Sequence, residues 1–215
     1  MSTDTQTLDE AAVCHWLEAN LPGFAGPLEV TKFQAGQSNP TFLLSTPAHD
    51  YVLRRKPPGT LLKSAHAVDR EFRVQRALAD SQVPVAPMHL LCEDESVIGS
   101  MFYVMDHVPG RNFNDPTLPE LTPAERGAVV DEMNGVLAAL HEVDIDAVGL
   151  SDYGPPGNYF ERQVGRWSKQ YRASETEPQP DMDALMQRLS AELPEDDGQR
   201  TLVHGDYRID NMIFD

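Results

Sequence analysis

The hydrophobic pattern changes period once along the chain, and that change restricts the fold more than any other feature. Up to about residue 107, short apolar runs alternate with breaks rich in Gly, Pro, Ser and Asn. LEVTKF, TFLLST and YVLRRK come first, then MHLLCE and SMFYVMDHV. Short runs of β-branched and aromatic residues between turn formers suit antiparallel strands. Helical segments flank and divide them. TLDEAAVCHWLEANLPG leads, with Thr7 and Glu10 at capping-box spacing, Val13, Trp16 and Leu17 as an apolar stripe, and Pro22-Gly23 as a stop. SAHAVDREFRVQRALAD sits after the third run, with Ser64 as its N-cap, Val68, Phe72 and Leu78 toward a core, and VPVAP ending it. Beyond HVPGRNFND the period is helical. Thr122-Pro-Ala-Glu125 opens one helix, and NYFERQVGRWSKQY and MDALMQRLSAEL give two more. The order predicts an α+β chain: a strand-rich domain over 1–107 and a mainly helical one over 108–215.

Composition narrows the function class. The 215 residues suffice for a core without staples, and their formal charge is −17. A field of that sign opposes binding to nucleic acid or to an anionic membrane, because phosphate recognition needs a basic footprint. A small phosphate-bearing molecule needs only a local cradle and stays allowed. No apolar run approaches the roughly 20 residues of a membrane span. The N-terminal MSTDTQTLDE is polar and acidic, unlike a signal or transit peptide. Cys14 and Cys92 form no CxxC pair and read as small core hydrophobes. A cytoplasmic protein with no nucleic-acid or membrane partner is expected.

The last fifteen residues, TLVHGDYRIDNMIFD, concentrate chemistry: His204, Asp206 and Asn211 stand between two short apolar runs. A strand-rich first part, a helical second part and an H-x-D-x-x-x-x-N loop between short strands resemble the protein-kinase-like fold. The loop reads His204-Gly205-Asp206 rather than His-Arg-Asp, as in the aminoglycoside phosphotransferase and choline kinase branch. FQAGQSNPTFLL, YVLRRKPPG, SAHAVDREFRVQRAL and NYFERQVGRW are most similar to the phosphotransferase domains found alone in bacteria or fused to acyl-CoA dehydrogenases. The resemblance runs from about Leu28 to Asp215. It implies an antiparallel-sheet nucleotide lobe, an incomplete helical lobe, ATP and Mg²⁺ as cofactors, and a small-molecule hydroxyl as acceptor.

Residue roles follow from the resemblance. Asp206 would be the catalytic base or the group that orients the acceptor hydroxyl, Asn211 a Mg²⁺ ligand, and His204 a brace for the loop. QAGQSNPTF would turn over the phosphates with Ser38 and Asn39 beside them, although with Gly36 as its single glycine the stretch alone reads as a hairpin. The third strand should carry a phosphate-binding cation. Alternation puts Val52 and Arg54 on one face and Leu53 and Arg55 on the other. Alignment with the family favours Arg54, with Lys56 a second choice if the register differs. Glu71 would pair with that cation. The Asp106 carbonyl and the Val108 N–H would read adenine, with Met105 beside the base. Gly205 rules out the Arg that meets an activation-loop phosphate, so control by such phosphorylation is not expected. His66, His107 and His141 have no partner at metal spacing. The cations among the aromatics of NYFERQVGRWSKQY would suit an anionic acceptor such as a coenzyme A ester.

One family element is missing from the sequence: the second metal-binding acid, the Asp of a D-F-G or D-W-type motif. The chain therefore reads as about the first two-thirds of a phosphotransferase, and by itself is expected to be nearly inactive. The alternative is a nucleotide-binding pseudokinase or interaction module.

Overall fold

Five strands build one antiparallel sheet in the order β1-β2-β3-β5-β4: β1 (Glu29–Lys32), β2 (Thr41–Ser45), β3 (Asp50–Arg55), β4 (Met88–Cys92) and β5 (Phe102–Asp106). The structure, a computed structural model, describes residues 8–33, 39–57, 67–155, 157–196 and 198–214. Thr7, Gly36, Ser38, Ser64, His66 and Asp215 lie outside the described residues. The chain divides into two compact units, one comprising 1–143 with 203–215 and the other 144–202.

In the first unit, β3 is paired on both sides, and Tyr51 through Leu53 are all buried. Across the ladder Phe42 faces Leu53 and Leu53 faces Val104, so these side chains share one face of the sheet. Helix α1 (Glu10–Asn20) covers that face with Val13 and Leu17, both fully buried. Trp16 meets Phe102 edge-on at 5.0 Å. The N-cap of α1 is Asp9, whose carboxylate accepts the Ala12 N–H at 3.0 Å. Asp9 immediately precedes the first helical residue, which is where a side chain can reach the orphan N–H groups.

Helix α2 (Val68–Ala77) covers the opposite face, setting Val68 and Phe72, one turn apart, against Tyr103, Met101, Met105 and Leu91. Its described N-terminus has Ala67 at the cap and no side-chain cap. Asp69 and Glu71 in the first turn supply the negative charge that the helix dipole favours there.

Helix α3 (Pro123–His141) begins with a complete capping box: Thr122 N–H donates to Glu125 Oε2 at 2.8 Å, and Glu125 N–H to Thr122 Oγ1 at 3.3 Å. Val129 of α3 joins Phe113, Leu118 and Leu121 in a small core against which Ile209 and Phe214 pack. The apolar runs beside the H-x-D loop are not strands. Residues 201–204 are irregular, and Phe214 forms an isolated bridge to Arg111. A strand needs a ladder partner of its own length, and the bridge pairs Phe214 with one residue.

The second unit holds α4 (Tyr159–Ser174) and α5 (Pro180–Ala191). Asn158 caps α4 through Glu161 N–H at 3.1 Å, and Arg172 ties the two helices through Asp183 at 2.5 Å. Neither helix buries a residue; Trp167 is 55% exposed. Among the described residues no helix is long and apolar enough to cross a membrane.

Candidate active site

The described residues expected to hold nucleotide or metal or to act as the base fall into three constellations in the first unit, whereas the α4 cations Arg162, Arg166, Lys169 and Arg172 belong to the second. The first centres on Glu71. Register places Arg54 between Thr41 and Tyr103 on the α2 face of the sheet, and the first turn of α2 brings Glu71 to it. Arg54 Nε lies 3.0 Å from Glu71 Oε2, with the two side chains 33% and 32% exposed. Two further donors converge on the same carboxylate: Asn39 Nδ2 on Oε1 at 2.8 Å and Tyr103 Oη on Oε2 at 3.1 Å. Asn39 is buried. Burial, reinforced by the negative charge of Glu71, pushes the Tyr103 phenol well above its usual range, so Tyr103 stays a donor.

A half-exposed ion pair adds little stability, so the effect of this cluster is positional: it fixes where the Arg54 fork sits. Arg55 goes the other way. It is buried on the α1 face with its guanidinium 5.5 Å from the centre of the Phe42 ring, and burial lowers its pKa. Lys56 donates its backbone N–H to Met101 O at 2.9 Å. Of the basic trio, Arg54 is the member seen to pair with Glu71. Tyr103 carries no signal in the sequence beyond strand alternation, which puts it on the Arg54 face of its neighbour.

The second constellation is the H-x-D loop. Gly205 has φ +81°, a left-handed conformation that side chains other than glycine adopt only with strain. The turn redirects the chain so that Asp206 N–H faces His204 Nδ1 at 3.4 Å. A single 3-10 turn, Ile209–Asn211, then folds back. Asn211 Nδ2 donates to both the carbonyl oxygen and Oδ2 of Asp206, each at 3.0 Å. With its amide nitrogen held this way, the remaining Oδ1 of Asn211 is a hard oxygen of the kind Mg²⁺ takes, next to the Asp206 carboxylate. The residue types fit such an ion.

Remote contacts hold this loop. Tyr207 Oη donates to Met133 O of α3 at 2.6 Å, and Arg208 pairs with Asp210. Asn112 Nδ2 donates to Asp210 O and Met212 O, both at 2.9 Å. Arg111 and Phe214 exchange two backbone hydrogen bonds of 2.6 and 2.9 Å. Gly110 permits this approach, because a Cβ there would overlap Ile213 and lie 2.7 Å from the Phe214 carbonyl oxygen. The stretch that reads in the sequence as a boundary is thus a clamp on the end of the loop.

The third constellation surrounds Asp106, the last residue of β5. Its backbone N–H donates to Pro87 O at 2.9 Å, and the next N–H, of His107, to Asp50 O at 3.1 Å. Its carboxylate lies between His89 and His49. Burial pushes the Asp106 carboxyl up, but hydrogen bonds from His89 and His49 outweigh it and hold the group below the usual range. Val108 follows β5 and is 38% exposed.

The sequence profile of the phosphotransferase enzyme family (APH) matches residues 29–215. Acyl-CoA dehydrogenase family member 10 of Mus musculus is 50% identical over 189 residues, which is 88% of this chain and 18% of that protein. A crystal structure from Ralstonia eutropha, provisionally named an aminoglycoside phosphotransferase, superposes with a TM-score of 0.83 at 53% identity. It covers 97% of this chain and 61% of its own. The aminoglycoside phosphotransferase APH(2")-IIIa, solved with GDP and kanamycin, superposes at 0.61 over 93% of this chain and 66% of its own. At 14% identity it shows the shared fold alone. The chain thus spans less than a fifth of the curated relative's length and about three-fifths of the Ralstonia chain.

Proposed function

The chain belongs to the phosphotransferase enzyme family, and on that footing we propose that it binds ATP with Mg²⁺ and transfers the γ-phosphate to a hydroxyl of a small molecule. The observation that carries this reading is the Asp206–Asn211 pair, in which one amide nitrogen is held on both the main chain and the carboxylate of Asp206. In phosphoryl transfer the protein mainly positions groups and balances charge. Asp206 orients the acceptor hydroxyl and takes its proton. Asn211 offers Oδ1 to the metal, which when bound neutralises phosphate charge. Arg54, fixed by Glu71, turns the rest of its fork to phosphate oxygens. By the family resemblance Ser38 and Asn39 are assigned to the phosphates, and the Asp106 carbonyl and Val108 N–H to the adenine edge beside Met105.

The nucleotide-holding residues fall within 1–107 except Val108, which stands at the boundary, and the catalytic pair falls within 108–215, the division proposed for the two domains. Likeness to an acyl-CoA dehydrogenase family member supports a hydroxyacyl-CoA or related metabolite as acceptor. A charge of −17 fits a cytoplasmic enzyme acting on small molecules.

Two measurements test this. Calorimetric titration with Mg·ATP should give saturable binding that Arg54→Ala weakens about tenfold, equivalent to about 1.4 kcal/mol. In the full-length protein that carries this sequence, transfer from γ-labelled ATP to a panel of hydroxyl compounds, a hydroxyacyl-CoA included, should fall about 10²- to 10⁴-fold in Asp206→Asn with binding retained. Absence of nucleotide binding would sink the proposal. Binding without transfer to any acceptor would make the chain a nucleotide-binding module instead.

A further inference from the structure

We propose that His49, His89 and Asp106 form a binding site for one divalent transition-metal ion of the zinc type, apart from the phosphate-side Mg²⁺. The three residues come from three places in the sequence that the sheet brings to one end. His49 closes the turn between β2 and β3, His89 lies near the start of β4, and Asp106 ends β5. Asp106 Oδ1 lies 2.6 Å from His89 Nε2 and 2.8 Å from His49 Nε2, and the three candidate ligand atoms all fall within 4.8 Å of one another. A tetrahedral zinc site with bonds of about 2.0–2.1 Å has ligand–ligand edges of roughly 3.3 Å. The two Asp106 edges, now 2.6 and 2.8 Å, need to lengthen by only about 0.5–0.7 Å to reach that size.

The backbone shows that the grouping is built rather than incidental. The β4–β5 ladder slips between Met88 and Leu90, so His89 is the extra residue of a β-bulge. Bulges re-aim side chains, and this one has a visible effect. Met88 packs with the α2-face cluster while Leu90 packs with the α1-face core, although regular alternation would put both on one face. The slip frees His89 to turn toward Asp106. His49 is held just as firmly: its N–H donates to Thr46 Oγ1 at 3.0 Å, and its carbonyl accepts from that hydroxyl at 2.7 Å. Tyr51 sets its ring edge-on to both imidazoles, 4.5 Å from His49 and 5.4 Å from His89.

The donor set selects the class of ion. Two imidazoles and one carboxylate suit zinc and its neighbours, whereas Mg²⁺ prefers all-oxygen surroundings. Three protein ligands leave one position for water, and His49, at 49% side-chain exposure, leaves the site open to solvent. Binding needs both Nε2 atoms unprotonated, so the two hydrogen bonds to Asp106 give way to metal–ligand bonds and any protons on those nitrogens are released to solvent.

The test is titration of the full chain with Zn²⁺ against a chromophoric chelator, paired with the visible spectrum of the Co²⁺-substituted protein. The expected result is one ion per chain, intense d–d bands of a four-coordinate site, and no competition from millimolar Mg²⁺. His49→Gln and His89→Gln should each weaken Zn²⁺ binding at least tenfold, and the double variant should lose the Co²⁺ bands. Zn²⁺ should raise the thermal midpoint of the wild type and not that of the double variant. Equal affinity in wild type and double variant, or no stoichiometric binding by the wild type, overturns the proposal. If His89→Gln fails to fold, as judged by circular dichroism, His49→Gln on the exposed turn decides the outcome alone.

Discussion

The Glu71 cluster and the Asp206 loop are held in opposite ways. Around Glu71, donors arrive from β3, β5 and the residue Asn39 before β2, and each is fixed by the ladder or by burial before it meets the carboxylate. Around Asp206 the pairing is local, made by a residue five positions on, and both partners are exposed. Its rigidity is borrowed from clamps at Tyr207, Asn112 and the Arg111–Phe214 bridge. A polar group placed by sheet and helix resists change through packing. A group on a loop tip can be exchanged with little loss of stability yet with large loss of chemistry.

Substitutions can break or sharpen that contrast. The largest effect should be kinetic: Asp206→Asn should lower phosphotransfer about 10²- to 10⁴-fold while leaving the urea midpoint within about 0.5 kcal/mol of wild type. A large stability loss would erase the contrast. Next, Asn39→Ala should cost about 2 kcal/mol in urea unfolding, because it removes a buried donor and leaves Glu71 Oε1 short of a partner. A value near zero would show the cluster to be redundant. Gly110→Ala should cost about 1–2 kcal/mol by overpacking at Phe214. It should also slow phosphotransfer more than it weakens Mg·ATP binding, since the clamp serves the loop.

Thr122→Ala should cost about 1 kcal/mol through loss of the α3 cap and leave the Asp206 chemistry alone. The backbone hydrogen bond from Thr122, followed by that of its hydroxyl, holds the Glu125 carboxyl below its usual range. The capping contribution is therefore present above the ordinary carboxylate pKa and fades as pH falls through the depressed value. Thr122→Ala should flatten that acid limb.

The smallest effect in neutral buffer belongs to Tyr103. Folding raises its phenol pKa, so its stabilisation is intact below the unfolded value of about 10 and is lost as pH rises beyond it. Wild type should therefore lose stability above about pH 10 more steeply than Tyr103→Phe.

Where the sequence was legible, period made it so. Five strands and the helices from α1 to α5 follow the switch from alternation to a 3.6-residue repeat, because one buried face dictates each. Arg54 and Glu71 stand out as a charged residue on an alternating strand and an acid at a helix start. Tyr103 does not, and Asn39 stands out only as an expected phosphate neighbour, because each lies 32 positions from Glu71 and only the fold joins them. His49 and His89 escape spacing arguments for a different reason: the bulge at His89 breaks the alternation from which its direction would be read. Strands beside the H-x-D loop were expected from apolar runs alone, and an apolar run fixes burial without supplying a pairing partner.

The bridge between Arg111 and Phe214 has a topological consequence. Asn112 and Met212, joined beside it, are 100 positions apart, and the whole 144–202 unit is spliced into the span they close. Closing such a loop is entropically expensive once, but lengthening it afterwards is not: each doubling adds only about 0.6 kcal/mol. Segment 144–202 can therefore gain or lose helical turns with little penalty at the closure, while Asp206 and Asn211 stay anchored.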